Sequence, residues 1–80
     1  MARKVFVKVN VDFDTQGQML PLAITWEDGR VFPVDRVTDA RRAVSMKAGG
    51  MGVRYTCIIR EKPVYLFYEE PRWFMEAKEA

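Results

Sequence analysis

The segment Leu20 to Val37, LPLAITWEDGRVFPVDRV, most constrains what this chain can become. Two runs of strand-forming residues flank Glu27-Asp28-Gly29, the pattern of a β-hairpin. Two registers compete. A two-residue turn at Asp28-Gly29 opposes Trp26 with Val31 and Thr25 with Phe32, which sets Phe32 and Val34 on the face opposite Leu22, Ile24 and Trp26. A three-residue loop, Glu27-Asp28-Gly29, opposes Trp26 with Arg30, Ile24 with Phe32 and Leu22 with Val34. Directly opposed residues project to one side of a sheet, so the second register gathers every large apolar side chain on one face. Gly29 at the third loop position suits the left-handed residue of a type I turn with a G1 bulge. Pro33 then opposes Ala23 in a non-hydrogen-bonded pair, where its missing N–H is harmless. The three-residue loop is expected, with Leu22, Ile24, Trp26, Phe32 and Val34 in the core.

The flanking sequence adds strands to both sides of this hairpin. In Lys4 to Phe13, Val5, Val7, Val9, Val11 and Phe13 alternate with Lys8, Asn10 and Asp12, the period-two signature of a half-buried strand. Phe6 breaks the polar face and can cover a second small cluster. Asp14 to Gln18 reads as a turn and Met19 to Trp26 as the second strand. After Val34 the apolar phase slips, so a bulge or bend is expected near Asp35-Arg36. Thr38 to Ala43 is either extended or a single helical turn, with a helix capped by Thr38 as the runner-up. Lys47 to Gly52, with three glycines in four residues, reads as a flexible turn. Val53 to Arg60 follows with Tyr55, Cys57 and Ile59 inward, then a turn at Glu61-Lys62 and a strand from Pro63 to Glu69. Glu70-Pro71 turns again into a short strand, Arg72 to Glu76.

The expected fold is all-β: a six-stranded antiparallel meander curled into a small barrel-like sheet. With 80 residues the chain makes one domain, and a chain of this size buries about 60% of its unfolded surface. No convincing amphipathic helix is present to cover the apolar face of a flat sheet, so curling is the remaining solution. Residues 1–76 are read as the domain and 77–80 as a frayed end. The opening residues run into alternating polar positions, which predicts neither a signal peptide nor a membrane span.

Composition narrows the chemistry. The chain contains no histidine, the commonest general base and metal ligand. Its single cysteine, Cys57, cannot form an intramolecular disulfide, points inward by alternation, and suits a reducing cytoplasm. Asp12 with Asp14 and Asp35 with Asp39 could cluster, but all fall at turns or strand ends where Asp normally shapes the backbone. No catalytic residue, metal or cofactor is therefore expected. Charge is unevenly spread. Between Arg36 and Arg60 six basic residues (Arg36, Arg41, Arg42, Lys47, Arg54 and Arg60) face Asp39 alone, whereas from Glu61 onward five acids outnumber three bases. Such a segment suits a polyanion-facing surface, and is equally the ordinary scatter of charge over a solvated face.

The runs WEDGRVFPV, AGGMGVRY and YLFYE before RWF resemble a family of small uncharacterised bacterial proteins. These share a W-x-x-G-R-x-aromatic-x-V hairpin, a glycine-rich turn leading into R-Y and an aromatic closing strand. The resemblance covers most of the chain, and its motifs are structural. It implies a bacterial cytoplasmic β-domain and no site residues.

Two function classes follow. The favoured one is a binding or interaction module without catalytic activity, whose partner is another protein or a second copy in a homodimer. In the strand Val64 to Tyr68, either Tyr65 and Phe67 or Leu66 and Tyr68 must face outward, and Tyr65 and Phe67 are taken as the candidate interaction surface. The alternative is a small β-barrel that binds nucleic acid weakly through Arg36, Arg41, Arg42, Lys47 and Arg54, with exposed aromatics stacking bases. A membrane partner is not expected.

Overall fold

The computed structural model describes residues 2–44 and 51–78. They form seven strands and, among the described residues, no helix: β1 (Ala2–Phe13), β2 (Met19–Thr25), β3 (Val31–Pro33), β4 (Arg36–Val44), β5 (Met51–Ile59), β6 (Lys62–Glu69) and β7 (Arg72–Lys78). All are antiparallel in one sheet of spatial order β3-β2-β1-β7-β6-β5-β4. The expected all-β curled sheet is present, with seven strands where six were expected. The additional one is β4. Its polar run Thr38 to Ala43 is extended, and pairing with β5 from Arg36↔Ile58 to Val44↔Met51 overrides the helix-forming character of Asp39 to Ala43. The phase slip expected near Asp35-Arg36 is the corner between β3 and β4, and a separate bulge lies further on, between Val37 and Asp39.

The two outermost strands, β3 and β4, are consecutive in the chain. Val34 donates its backbone N–H to Leu22 on one side of the sheet, and Asp35 donates to Ile58 on the other, both at 2.8 Å. Adjacent residues thus tie together opposite ends of the sheet and roll it into a half-barrel, closed at this corner and open beyond it.

The hairpin adopts the three-residue loop. Ile24 pairs Phe32 and Ala23 pairs Pro33. Trp26 donates to Arg30 at 2.8 Å, Gly29 donates to Trp26 at 2.9 Å, and Gly29 takes φ +91°. Its expected core set needs two corrections. Leu22 is 47% exposed, because it is the extra residue of a bulge where β1 passes from Asn10↔Ala23 to Val11↔Pro21. Below the bulge the faces exchange, and Pro21 takes the buried inward place. Trp26 is only half-buried, at the rim of the barrel.

Inside, Ile24, Tyr55, Cys57, Ile59, Leu66 and Trp73 form the buried core, with the β1 valines Val7, Val9 and Val11 packed against it. The expected alternation in β1 and β5 holds, except that Phe13 at the end of β1 is exposed. A second cluster occupies the convex face. Phe6 meets Phe74 edge-on, with ring centroids 6.0 Å apart, and Phe67 stacks on Phe74 at 4.9 Å. Lys4 over the Phe74 ring and Arg72 over Phe6 cover it with cationic side chains.

The turns follow their side chains. Asp14 accepts from the backbone N–H groups of Gln16 and Gln18 through Oδ1. The turn between β5 and β6 is Arg60-Glu61, one residue earlier than expected, with φ +51° and +68°. This is the geometry of a type I′ turn, which favours Asn-Gly. The Glu70–Pro71 bond in the β6–β7 turn is cis. β7 continues through Ala77 and Lys78, paired with Arg3 and Ala2, so the frayed end expected from Ala77 does not begin there. Met51 and Gly52, expected in the glycine turn, belong to β5. The rest of that turn, Lys47 to Gly50, lies outside the described residues.

Candidate functional site

Cross-strand registers place Phe6, Phe74, Phe67, Arg54 and Arg41 in a single row across the convex face, one residue from each of β1, β7, β6, β5 and β4. Period-two geometry puts Tyr65 and Phe67 of β6 outward and Leu66 and Tyr68 inward. Phe67 nevertheless does not serve as an exposed contact. It is 3% accessible, enclosed by its neighbours in the row, which corrects the expectation for that residue. A single-layer sheet leaves one face to water, but large rings three strands wide bury each other. Tyr65 is 50% exposed, one position beyond the cluster, and remains a surface aromatic.

The basic residues do not converge as a set. Arg36, Arg41 and Arg54 project from the convex face, by their pairing with Ile58, with each other and with Phe67. Arg42 pairs with the inward-facing Val53 and projects to the opposite side. Lys47 lies outside the described residues. On the convex face the Arg54 guanidinium lies 4.4 Å from the centroid of Tyr65, while its Nε is buried without a hydrogen-bond partner among the described residues. Arg41 and Arg54 oppose each other, a like-charge pairing that destabilises unless screened. Asp39 screens it. Its carboxylate takes a 2.7 Å hydrogen bond from Arg41 Nε. That bond, with the nearby charges of Arg41 and Arg54, holds the Asp39 carboxyl below its usual range.

These side chains flank an edge of the sheet. Among the described residues β4 pairs with β5 and with no strand on its other side, where it only approaches β2, whereas the opposite edge, β3, is three residues long and ends in Pro33. The β4 edge is nine residues long, without proline.

A cavity of about 440 Å³ opens between the β2–β3 and β5–β6 hairpins, at the mouth of the half-barrel. Its floor is Ile24, Phe32, Ile59, Val64 and Met75, with Trp26 at the side. Its rim carries Asp28, Arg30, Arg60 and Lys62. Arg30 Nε pairs with Asp28 Oδ2 at 3.0 Å, and Asp28 Oδ1 accepts the Arg30 backbone N–H. Arg60 reaches over the mouth, its guanidinium 5.2 Å from the Phe32 centroid. Reading along the sequence misses this site, because its two hairpins lie more than a strand apart in the chain. The one local signal was the absence of glycine or asparagine from a two-residue turn.

Elsewhere, reactive chemistry is sparse. Cys57 is fully buried, and desolvation pushes its thiol up to about 11, so it is protonated and shielded at neutral pH. Burial likewise raises the Tyr55 hydroxyl. Asp14 and Asp39 are engaged by their turn and ion pair. Among the described residues no three His, Cys, Asp or Glu side chains come together, and no helix is long and apolar enough to cross a membrane. Comparison with protein-family models, curated proteins and solved structures found no match.

Proposed function

We propose that this chain is a binding module, without catalytic activity, that takes an extended, acidic segment of a partner protein along β4. The observation that carries this reading is the edge itself: a nine-residue strand with no strand hydrogen-bonded to its outer side among the described residues, on a half-barrel that closes against β2 only at one corner. An added strand would satisfy the free backbone groups of β4 and extend the sheet across the opening. The bulge between Val37 and Asp39 limits regular pairing to Asp39 through Val44. Charge selects the partner. Arg36, Arg41 and Arg42 stand against Asp39, already held by Arg41, so acidic side chains on the incoming strand meet opposite charge on both faces. A second copy of β4 would instead bring two net-positive strands together, which disfavours the homodimer. A bacterial cytoplasmic setting is part of the proposal, supported by the sequence resemblance and by a lone buried cysteine.

Titration with an extended peptide alternating Glu and Val, against its Lys counterpart, tests the reading by amide hydrogen exchange. The Glu peptide is expected to protect amides of 39–44, and Arg41→Glu with Arg42→Glu to weaken it by at least about tenfold. Equal binding of the two peptides, or no protection in β4, defeats the proposal.

Nucleic acid remains the second reading, favoured by one arrangement: Arg54 stacked on exposed Tyr65 with Arg36 and Arg41 on the same face. A single strand could stack a base on Tyr65 while its phosphates meet the arginines. It predicts binding of a short single-stranded oligonucleotide that falls steeply with salt and with Tyr65→Ala. Binding indifferent to both eliminates it.

A further inference from the structure

We propose that the mouth of the half-barrel is a binding site for a small amphiphilic carboxylate, with its apolar tail on the floor and its head group at Arg60 and Lys62. This site is separate from the β4 edge and does not depend on it. Its volume, about 440 Å³, falls within the roughly 300–1,000 Å³ of small-ligand sites. The floor is built from both sides of the barrel: Ile24 and Phe32 from one hairpin, Ile59 and Val64 from the other. Ile24 and Ile59 are themselves buried, so the floor is the accessible side of the packed core. Such a surface favours an aliphatic chain.

Charge at the rim sets the sign of the head group. Asp28 is its one acid, and that carboxylate is engaged by both the side chain and the backbone of Arg30. Arg60 and Lys62 remain as cations with no acidic partner among the described residues. A floor so apolar, with few polar groups around it, suits a ligand carrying a single anionic head. A carboxylate matches the guanidinium fork directly.

The turn that supplies Arg60 strengthens the case. Both turn residues hold left-handed backbone, where Gly or Asn is favoured, yet the positions are Arg60 and Glu61. Arg60 then lies over Phe32 on the facing hairpin. The guanidinium is therefore placed at the lip of the cavity, against the ring that forms part of its floor. Turn stability alone would have selected another residue.

Decanoate, kept below its micelle concentration, is the probe, with 1-decanol and decylammonium as controls of equal chain length. Titrations are followed by amide chemical shifts and calorimetry on the whole chain. Decanoate is expected to shift amides of 24–32 and 59–64 saturably, and to bind about tenfold tighter than decanol. Arg60→Gly is the discriminating variant, because glycine suits the turn and the fold is retained. Its melting temperature is expected at or above that of the wild type, with the preference for decanoate over decanol lost. Lys62→Gln, which leaves the turn untouched, is expected to reduce that preference several-fold. Equal affinity for decanoate and decanol overturns the proposal. So do shifts confined to other strands, an absence of saturable shifts, or an Arg60→Gly protein that still prefers decanoate.

Discussion

The two ends of this sheet are joined by the Val34-Asp35 bond and are built in opposite ways. β3 is three residues long and closes on Pro33, whose ring removes a donor from the outward side. Short length and proline are two of the devices by which sheets blunt an edge. β4 is nine residues long, contains no proline and carries Arg36, Arg41 and Arg42. Its charges discourage indiscriminate pairing, and its bulge restricts the register, but a run from Asp39 to Val44 remains geometrically regular. One edge is shut by its backbone. The other is selective by its charge. On the proposed reading, a half-barrel with one blunted and one charged edge takes an added strand on one side only.

The largest test of this contrast concerns the bulge beside β3. Ile24 and Leu22 are the same size and two residues apart, yet one is 1% exposed and the other 47%. Ile24→Ala is expected to cost about 2–5 kcal/mol in denaturant unfolding, as buried truncations do. Leu22→Ala is expected within about 0.5 kcal/mol. Equal losses would remove the bulge from the account of this edge.

Glycine substitutions separate the two sides by mechanism. A Cβ at Gly52 in β5 would collide with the Tyr68 carbonyl of β6, so Gly52→Ala forces strands apart next to β4. About 1–3 kcal/mol is expected, with faster amide exchange in β4. Gly29 has open space around it and only its φ of +91° to protect, so Gly29→Ala is expected to cost about 1 kcal/mol, felt first in β3.

Unblocking β3 is a subtler change. Pro33→Val restores an outward N–H and is expected to alter stability by less than about 0.5 kcal/mol. Its effect should appear as concentration-dependent association in sedimentation velocity, absent from the parent. If the variant stays as dispersed as the parent, Pro33 is not what protects that edge.

The smallest effect is electrostatic. Asp39 has its pKa depressed in the folded state, chiefly by its hydrogen bond from Arg41. Its contribution is therefore present above the unfolded value and is lost as pH falls through the folded one. Carboxyl titration by NMR should show Asp39 returning toward an ordinary value in Arg41→Gln. The difference in stability between wild type and Asp39→Asn should likewise vanish in acid.

Local chemistry made much of the fold legible. Glycine at the third position of Glu27-Asp28-Gly29 and the demand that Ile24 share a face with Phe32 were enough to select the loop and its register. The valines of β1 announced a strand by period alone. Legibility failed where pairing outweighs propensity. Residues 38 to 43 carry no strand signal of their own, and become β4 because β5 supplies a partner for each of them except the bulged Thr38. For the candidate site the limit was the same. Tyr65 and Phe67 were placed on the outer face by alternation, but exposure depends on neighbours from β1 and β7, and these bury Phe67 while sparing Tyr65.

What the sequence by itself determined is local: where the chain turns, which residues alternate, and that no histidine or second cysteine is available. Those properties depend on side chains a few positions apart. Tertiary structure alone decided that Leu22 points outward, that Arg36, Arg41 and Arg54 share one face while Arg42 takes the other, and that β4 is an edge. It also decided that Arg60 faces Phe32 across a cavity. Each of these is a relation between segments distant in the chain, set by how the sheet rolls once Val34 and Asp35 bond to its opposite ends.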